Sequence, residues 1–241
     1  MHPTRRVKSR LLIHFISMIM LVLIAAGSSQ NWQILAGNIT PYTPRQAVDK
    51  PIPLAPRFSG DLNSDGNLEC LALVDQTLQI TDCQSDVLWQ SPSDRRVTEA
   101  QIGDLNRDGL DEAILLVWRP FKPWPVDKFM PYGGRIKEFH DQNGDSCQII
   151  LIGWARNDWR ELWAGSALVS PVERLGVADL DGDGWQELAA LERPYDTKQP
   201  NTDLTVWKWL GFGFTLIDRV KGSFYDLSIF RDSSQSWLVT Q

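Results

Sequence analysis

Three ten-residue segments repeat one pattern along the chain: GDLNSDGNLE at Gly60 to Glu69, GDLNRDGLDE at Gly103 to Glu112, and ADLDGDGWQE at Ala178 to Glu187. Counting from the first Asp, each has Asp or Asn at positions 1, 3 and 5, Gly at 6 and Glu at 9. Recurrence of this kind marks a repeat architecture, in which each repeat is one supersecondary unit stacked on its neighbours. The flanks repeat as well. LAPRFSG, VTEAQIG and VERLGVA precede the loops, and NLECLALV, LDEAILLVW and WQELAALER follow them. Strand-like pieces such as TLQIT and DLTVWKW come next, then DVLWQS, DWRELWAG and GFTLIDRV. Each repeat reads as about four short strands joined by turn residues (Asp-Gln, Asn-Gly, Asn-Asp), and no segment past Gly27 keeps a convincing helical period. Tandem four-stranded antiparallel units of about 40 to 50 residues predict an all-β chain built as a β-propeller of about four blades.

The two ends bear on closure of the ring. SFYDLSIFRDSSQSWLVTQ reads as the first two strands of a fourth unit that stops midway. NWQILAGNITP resembles DWRELWAGSALVSP, the outermost strand of an earlier unit. Asn31 to Gly37 is therefore expected to complete the blade begun at Ser223, which would remove exposed sheet edges. An open, incomplete propeller that assembles with other chains is the alternative.

The repeated loops have the chemistry of a hard-cation site. Side-chain oxygens at positions 1, 3 and 5 (Asp61, Asn63, Asp65; Asp104, Asn106, Asp108; Asp179, Asp181, Asp183) can converge on one centre in a tight turn. Gly66, Gly109 and Gly184 supply the left-handed backbone such a turn needs. The carbonyl at position 7 (Asn67, Leu110, Trp185) and the carboxylate at position 9 (Glu69, Glu112, Glu187) complete a shell of about six oxygens with water, which suits Ca²⁺ better than Mg²⁺. About three Ca²⁺ sites are expected. No Cys or His lies in the loops, which disfavours zinc and copper. An EF-hand would need Glu at position 12, where this chain has Ala72, Leu115 and Ala190. The apolar residue at position 2 (Leu62, Leu105, Leu180) is expected to point inward and pin the loop. A fourth segment, Asp141 to Asp145, has the 1, 3, 5 pattern but Ser146 and Ile149 at positions 6 and 9, and reads as a turn.

With DLNSDGNLE, DLNRDGLDE and DLDGDGWQE, the chain resembles FG-GAP/VCBS repeat proteins, known from integrin alpha subunits and from many secreted bacterial proteins. The resemblance covers roughly residues 53 to 230. It implies one propeller blade per repeat, with Ca²⁺ bracing each hairpin loop in a structural role and ligand recognition elsewhere on the ring. Many relatives have seven blades, whereas this chain has three full repeats and one partial one.

Residues 1–27 carry four Lys/Arg and no acid, then an apolar run from Leu11 to Gly27. They read as a signal peptide or an N-terminal membrane anchor, with residues 28–241 as an extracytoplasmic repeat domain. Without residues 1–27 the net charge is −10, which argues against nucleic acid or an anionic membrane surface as partner. Membrane contact is expected only through that N-terminal segment. Of the three cysteines, Cys70 and Cys83 flank one predicted hairpin and could pair, but three small buried residues is the preferred reading. Trp118, Phe121, Trp124, Phe129 and Tyr132 lie in a Pro-rich stretch from Trp118 to Gly134. They read as a cap on the ring, or as a stacking surface for sugars or a partner protein.

Outside the leader the only histidine is His140, and no nucleophile–base arrangement is visible. The expected function is a protein- or glycan-binding or adhesion module rather than an enzyme. A polysaccharide-acting enzyme or accessory domain and a structural subunit of an envelope complex are the alternatives.

Overall fold

The computed structural model describes residues 29–44, 52–123, 129, 139–195, 201–233 and 235–241. The expected leader or anchor, and Trp124 and Tyr132, lie outside them. Four antiparallel sheets form a four-bladed β-propeller. Blade 1 contains β4 (Ser59–Gly60), β5 (Glu69–Val74), β6 (Thr77–Thr81) and β7 (Val87–Gln90). Blade 2 contains β8 (Arg96–Gly103), β9 (Glu112–Pro120), β10 (Asp145–Ala155) and β11 (Asp158–Ala164). Blade 3 contains β12 (Val172–Ala178), β13 (Glu187–Glu192), β14 (Asp203–Trp209) and β15 (Phe214–Val220).

Blade 4 joins the two ends of the chain. β16 (Leu227–Arg231) and β17 (Ser236–Thr240) are continued by β1 (Gln30–Leu35) and then β2 (Asn38–Pro41). Trp32 locks the junction: it pairs with Leu238 in the ladder, and its Nε1 donates to Thr240 Oγ1 at 2.9 Å. Closure is thus as expected in kind but differs in detail. Asn31 to Gly37 provides the third strand, not the outermost one, because the hairpin at Ala36–Gly37 folds β2 back outside it. Both turn residues have positive φ, the conformation a two-residue hairpin requires.

A second departure is LAPRFSG. Only Ser59–Gly60 pairs with β5, while β3 (Ile52–Leu54) adds to the inner edge of blade 4 beside β16. Pro53 and Pro56 lack the N–H that an interior ladder position needs, so this stretch cannot form a full inner strand. The third departure concerns sulfur. Cys70 and Cys83 form a disulfide across blade 1, contrary to the preferred reading, and Cys147 alone is free and buried. Cys70 pairs opposite Thr81 in the ladder, and the chain turns back just beyond, which brings Cys83 to it.

The core lies in the seams between blades. One apolar cluster joins blades 1 and 2 (Leu78 and Ile80 with Val97, Leu115 and Ile152). A second joins blades 2 and 3 (Ile114 and Leu151 with Leu188 and Ala190), and a third joins blades 3 and 4 (Leu191 and Val206 with Ile229 and Leu238). Blades 2 and 3 are each sandwiched, which explains why the runs AILLV in β9 and LAAL in β13 are apolar without alternation: both faces are buried. Between blades 4 and 1 no apolar cluster forms among the described residues; β3 crosses there.

Candidate metal centres

The three acidic segments each connect the first strand of a blade to the second, and the position-9 Glu is the first residue of that second strand. Their backbones match. The position-1 carboxylate accepts the N–H of position 6 at 3.0, 3.0 and 3.1 Å in loops 1, 2 and 3. The position-6 glycines all sit at φ +89°, where a side chain would be strained. Leu62, Leu105 and Leu180 are buried, each in the seam toward the following blade, so the pin expected from sequence is present. Position 12 falls inside β5, β9 and β13, and the flanks are strands, not the helices of an EF-hand.

The buried Glu at position 9 distinguishes the loops. In all three it uses Oε2 to accept the N–H of position 2: Leu62 at 2.7 Å, Leu105 at 3.2 Å and Leu180 at 3.0 Å. The other oxygen differs. Glu69 Oε1 accepts from the Asn63 amide at 3.0 Å, and that amide also donates to Asp65 at 3.2 Å. Glu187 Oε1 accepts from Arg107 at 3.2 Å. Glu112 is 0% exposed, and its Oε1 has no hydrogen-bond partner among the described residues. A buried carboxylate oxygen without a donor is costly, and such groups are ordinarily paired or bound to metal.

Two of the loops gather carboxylates closely enough to hold a metal ion: Asp104, Asp108 and Glu112 in loop 2, and Asp179, Asp181 and Glu187 in loop 3, with ligand oxygens within 4.8 Å of one another. Among the described residues loop 1 has no such cluster; there the Asn63 amide bridges Asp65 and Glu69. Asn106 and Asn67 bind within their own loops, to Asp108 and Asp65. Asp183 accepts the N–H of Trp185, and Asp108 that of Leu110.

The electrostatics agree with the geometry. Burial, reinforced by the charges of Asp108 and Asp104 against the Leu105 N–H, pushes Glu112 up to about 8. Burial and the charges of Asp181 and Asp183, opposed by the Leu180 N–H and by Arg107, push Glu187 up to about 7. Glu69 is raised mainly by burial. A cation among these oxygens would favour the ionised forms. The segment at Asp141 is a turn: Asp141 Oδ1 accepts the N–H of Asn143 and of Asp145, and Gly144 donates to the Asp141 carbonyl.

Contacts between neighbouring loops were not legible in sequence. Arg57 forms a two-pronged pair with Asp111 at 3.1 and 2.6 Å, tying the start of blade 1 to loop 2. Arg107, at position 4 of loop 2, reaches into loop 3. A lone Arg inside an otherwise acidic motif was the only available signal.

Of the aromatic stretch, Trp118 packs in the seam between blades 2 and 3, edge-on to Tyr195 and under Arg96. Phe121 lies against His140, and Phe129 is exposed. A cleft of about 540 Å³ lies near blades 2 and 3, lined by Trp163, Trp207, Phe214 and Leu168, with Glu192 and Arg219 among its walls. Both polar residues are already satisfied: Glu192 accepts from Thr205, Trp207 and Arg219 at 2.8–2.9 Å. Compared with models of known families, with curated proteins and with solved structures, the chain gives no match.

Proposed function

We propose that the chain is a calcium-braced β-propeller of the FG-GAP/VCBS type, exported or anchored outside the cytoplasm, that acts as a protein- or glycan-binding module. The observation that supports the metal most directly is Glu112. Its inward oxygen is fully buried and without a partner, and it lies with Asp104 and Asp108 in one cluster. A hard cation with irregular oxygen ligation is what such a set accommodates best. Glu112, Asp104 and Asp108 would hold the ion, and its charge would offset the crowding of the three carboxylates. The role of the metal is structural, since each loop joins two blade strands and is pinned to a seam by its position-2 Leu.

Thermal unfolding of the mature protein in EGTA and in millimolar Ca²⁺ tests the metal. A cation bound only to the folded state must raise the melting temperature, and an unchanged melt would remove the reading. The binding role is tested separately on a glycan array and by co-purification, alongside a hydrolase and lyase screen with Ca²⁺ present. Turnover in that screen would make the chain an enzyme instead.

A further inference from the structure

Position 4 differs among the loops: Ser64, Arg107 and Gly182. All three have positive φ, although in loop 3 the position-4 N–H of Gly182 donates to Asp179 Oδ1, where in loops 1 and 2 the position-5 N–H donates to the position-1 carboxylate. Arg107 leaves loop 2 and enters loop 3 of the next blade. Its Nη2 lies 3.2 Å from Glu187 Oε1, its Nη1 lies 4.0 Å from Asp183 Oδ2, and its guanidinium stacks over Trp185 at 5.8 Å. Glu187 is 0% exposed, so the guanidinium caps the oxygen that in loop 2 is left without a donor. The contrast follows from side-chain length. Ser64 stands in the corresponding place of loop 1 but is too short to cross to the next loop, and Glu112 Oε1 stays unpartnered.

We propose that Arg107 is a tethered cation that competes with a divalent ion for loop 3. Loop 2 is then the high-affinity site, and loop 3 fills only when Arg107 withdraws. This rests on the reading of the loops as cation sites. A divalent ion and a guanidinium cannot share Glu187 Oε1, because both require the same lone pairs and repel each other. The inserted state is also imperfect, since Arg107 Nε is buried with no partner among the described residues. Arg107 can therefore leave when a better cation arrives. Two loops with nearly the same acidic pattern thereby acquire different affinities, and the affinity of one is set by a residue of the other.

The test is calorimetric titration of Ca²⁺ into the mature protein and four variants. Arg107→Ser and Arg107→Gly copy the residues that loops 1 and 3 carry at this position, so both suit the left-handed backbone. Glu112→Gln removes the inward oxygen of loop 2. Ser64→Arg supplies loop 2 with the guanidinium it lacks. The wild type is expected to show one tight and one weaker class of site. Both Arg107 variants should tighten the weaker class at least tenfold and leave the tight class in place. Glu112→Gln should abolish the tight class, and Ser64→Arg should weaken it. Two equal classes in the wild type, or a weaker class unmoved in both Arg107 variants, would overturn the proposal while sparing the cation sites themselves. Absence of binding in every protein would overturn both.

Discussion

Replacing Glu112 with Gln should have opposite effects with and without Ca²⁺. The folded-state pKa of Glu112 is about 8, against an ordinary value of 4.5. A raised carboxylate pKa means the folded chain keeps this proton when the unfolded chain has lost it. The group's contribution is therefore complete below pH 4.5 and is lost as pH rises toward 8. At pH 7 and without metal the loss is about 3 kcal/mol. Gln is neutral throughout, its carboxamide oxygen can still accept the Leu105 N–H, and its NH₂ can donate to the loop carboxylates as Asn63 does in loop 1.

In EGTA at pH 7 to 8 the variant should accordingly melt at or above the wild type, and the gap should close toward pH 5. With Ca²⁺ at about 1,000 times its dissociation constant the wild type gains about 4.1 kcal/mol at this site, more than the loss without metal, and the variant gains little. For a domain of this size that gain corresponds to about 8–16 °C. The order of melting temperatures should invert between EGTA and Ca²⁺, as read by circular dichroism or calorimetry. A variant that melts below the wild type by the same margin in both buffers would refute the reasoning, since Glu112 would then be an ordinary structural acceptor.

Three further outcomes follow from the packing. Deleting residues 28–40 removes β1 and most of β2, leaving β17 with a bare edge, so the melting temperature should fall sharply or folding should fail; an unchanged melt would sink the closure of blade 4. Leu105→Ala in the seam between blades 2 and 3 should cost about 2–5 kcal/mol in denaturant unfolding, because Leu105 is fully buried there. Reduction of Cys70–Cys83, which span 13 residues, should lower stability by about 2–4 kcal/mol, and Cys147 should stay unreactive in the native state because burial pushes its thiol up to about 12.

The sequence by itself determined the blade, the loop and the direction in which the loop is pinned. Those properties are local. A glycine at φ +89°, oxygens at alternate positions and a Leu at position 2 fix a turn whatever surrounds it, and period-2 or unbroken apolar runs fix the strands on either side. Even the meeting of the chain's two ends was legible, because NWQILAGNITP carries the pattern of a blade strand without a blade of its own.

What the sequence could not decide was which loops are equivalent. GDLNSDGNLE and GDLNRDGLDE differ at only a few places, yet one Glu is capped by its own loop's Asn63 and the other is left open. Glu187 is capped by an arginine 80 residues away in sequence. Position 4 reads as a variable turn residue until the blades are stacked. Only the rotation from one blade to the next places Arg107 over Glu187 and leaves Ser64 short of reach. The same holds for Cys70 and Cys83, whose pairing depends on the register of β5 against β6 and on the turn beyond, which spacing alone does not fix.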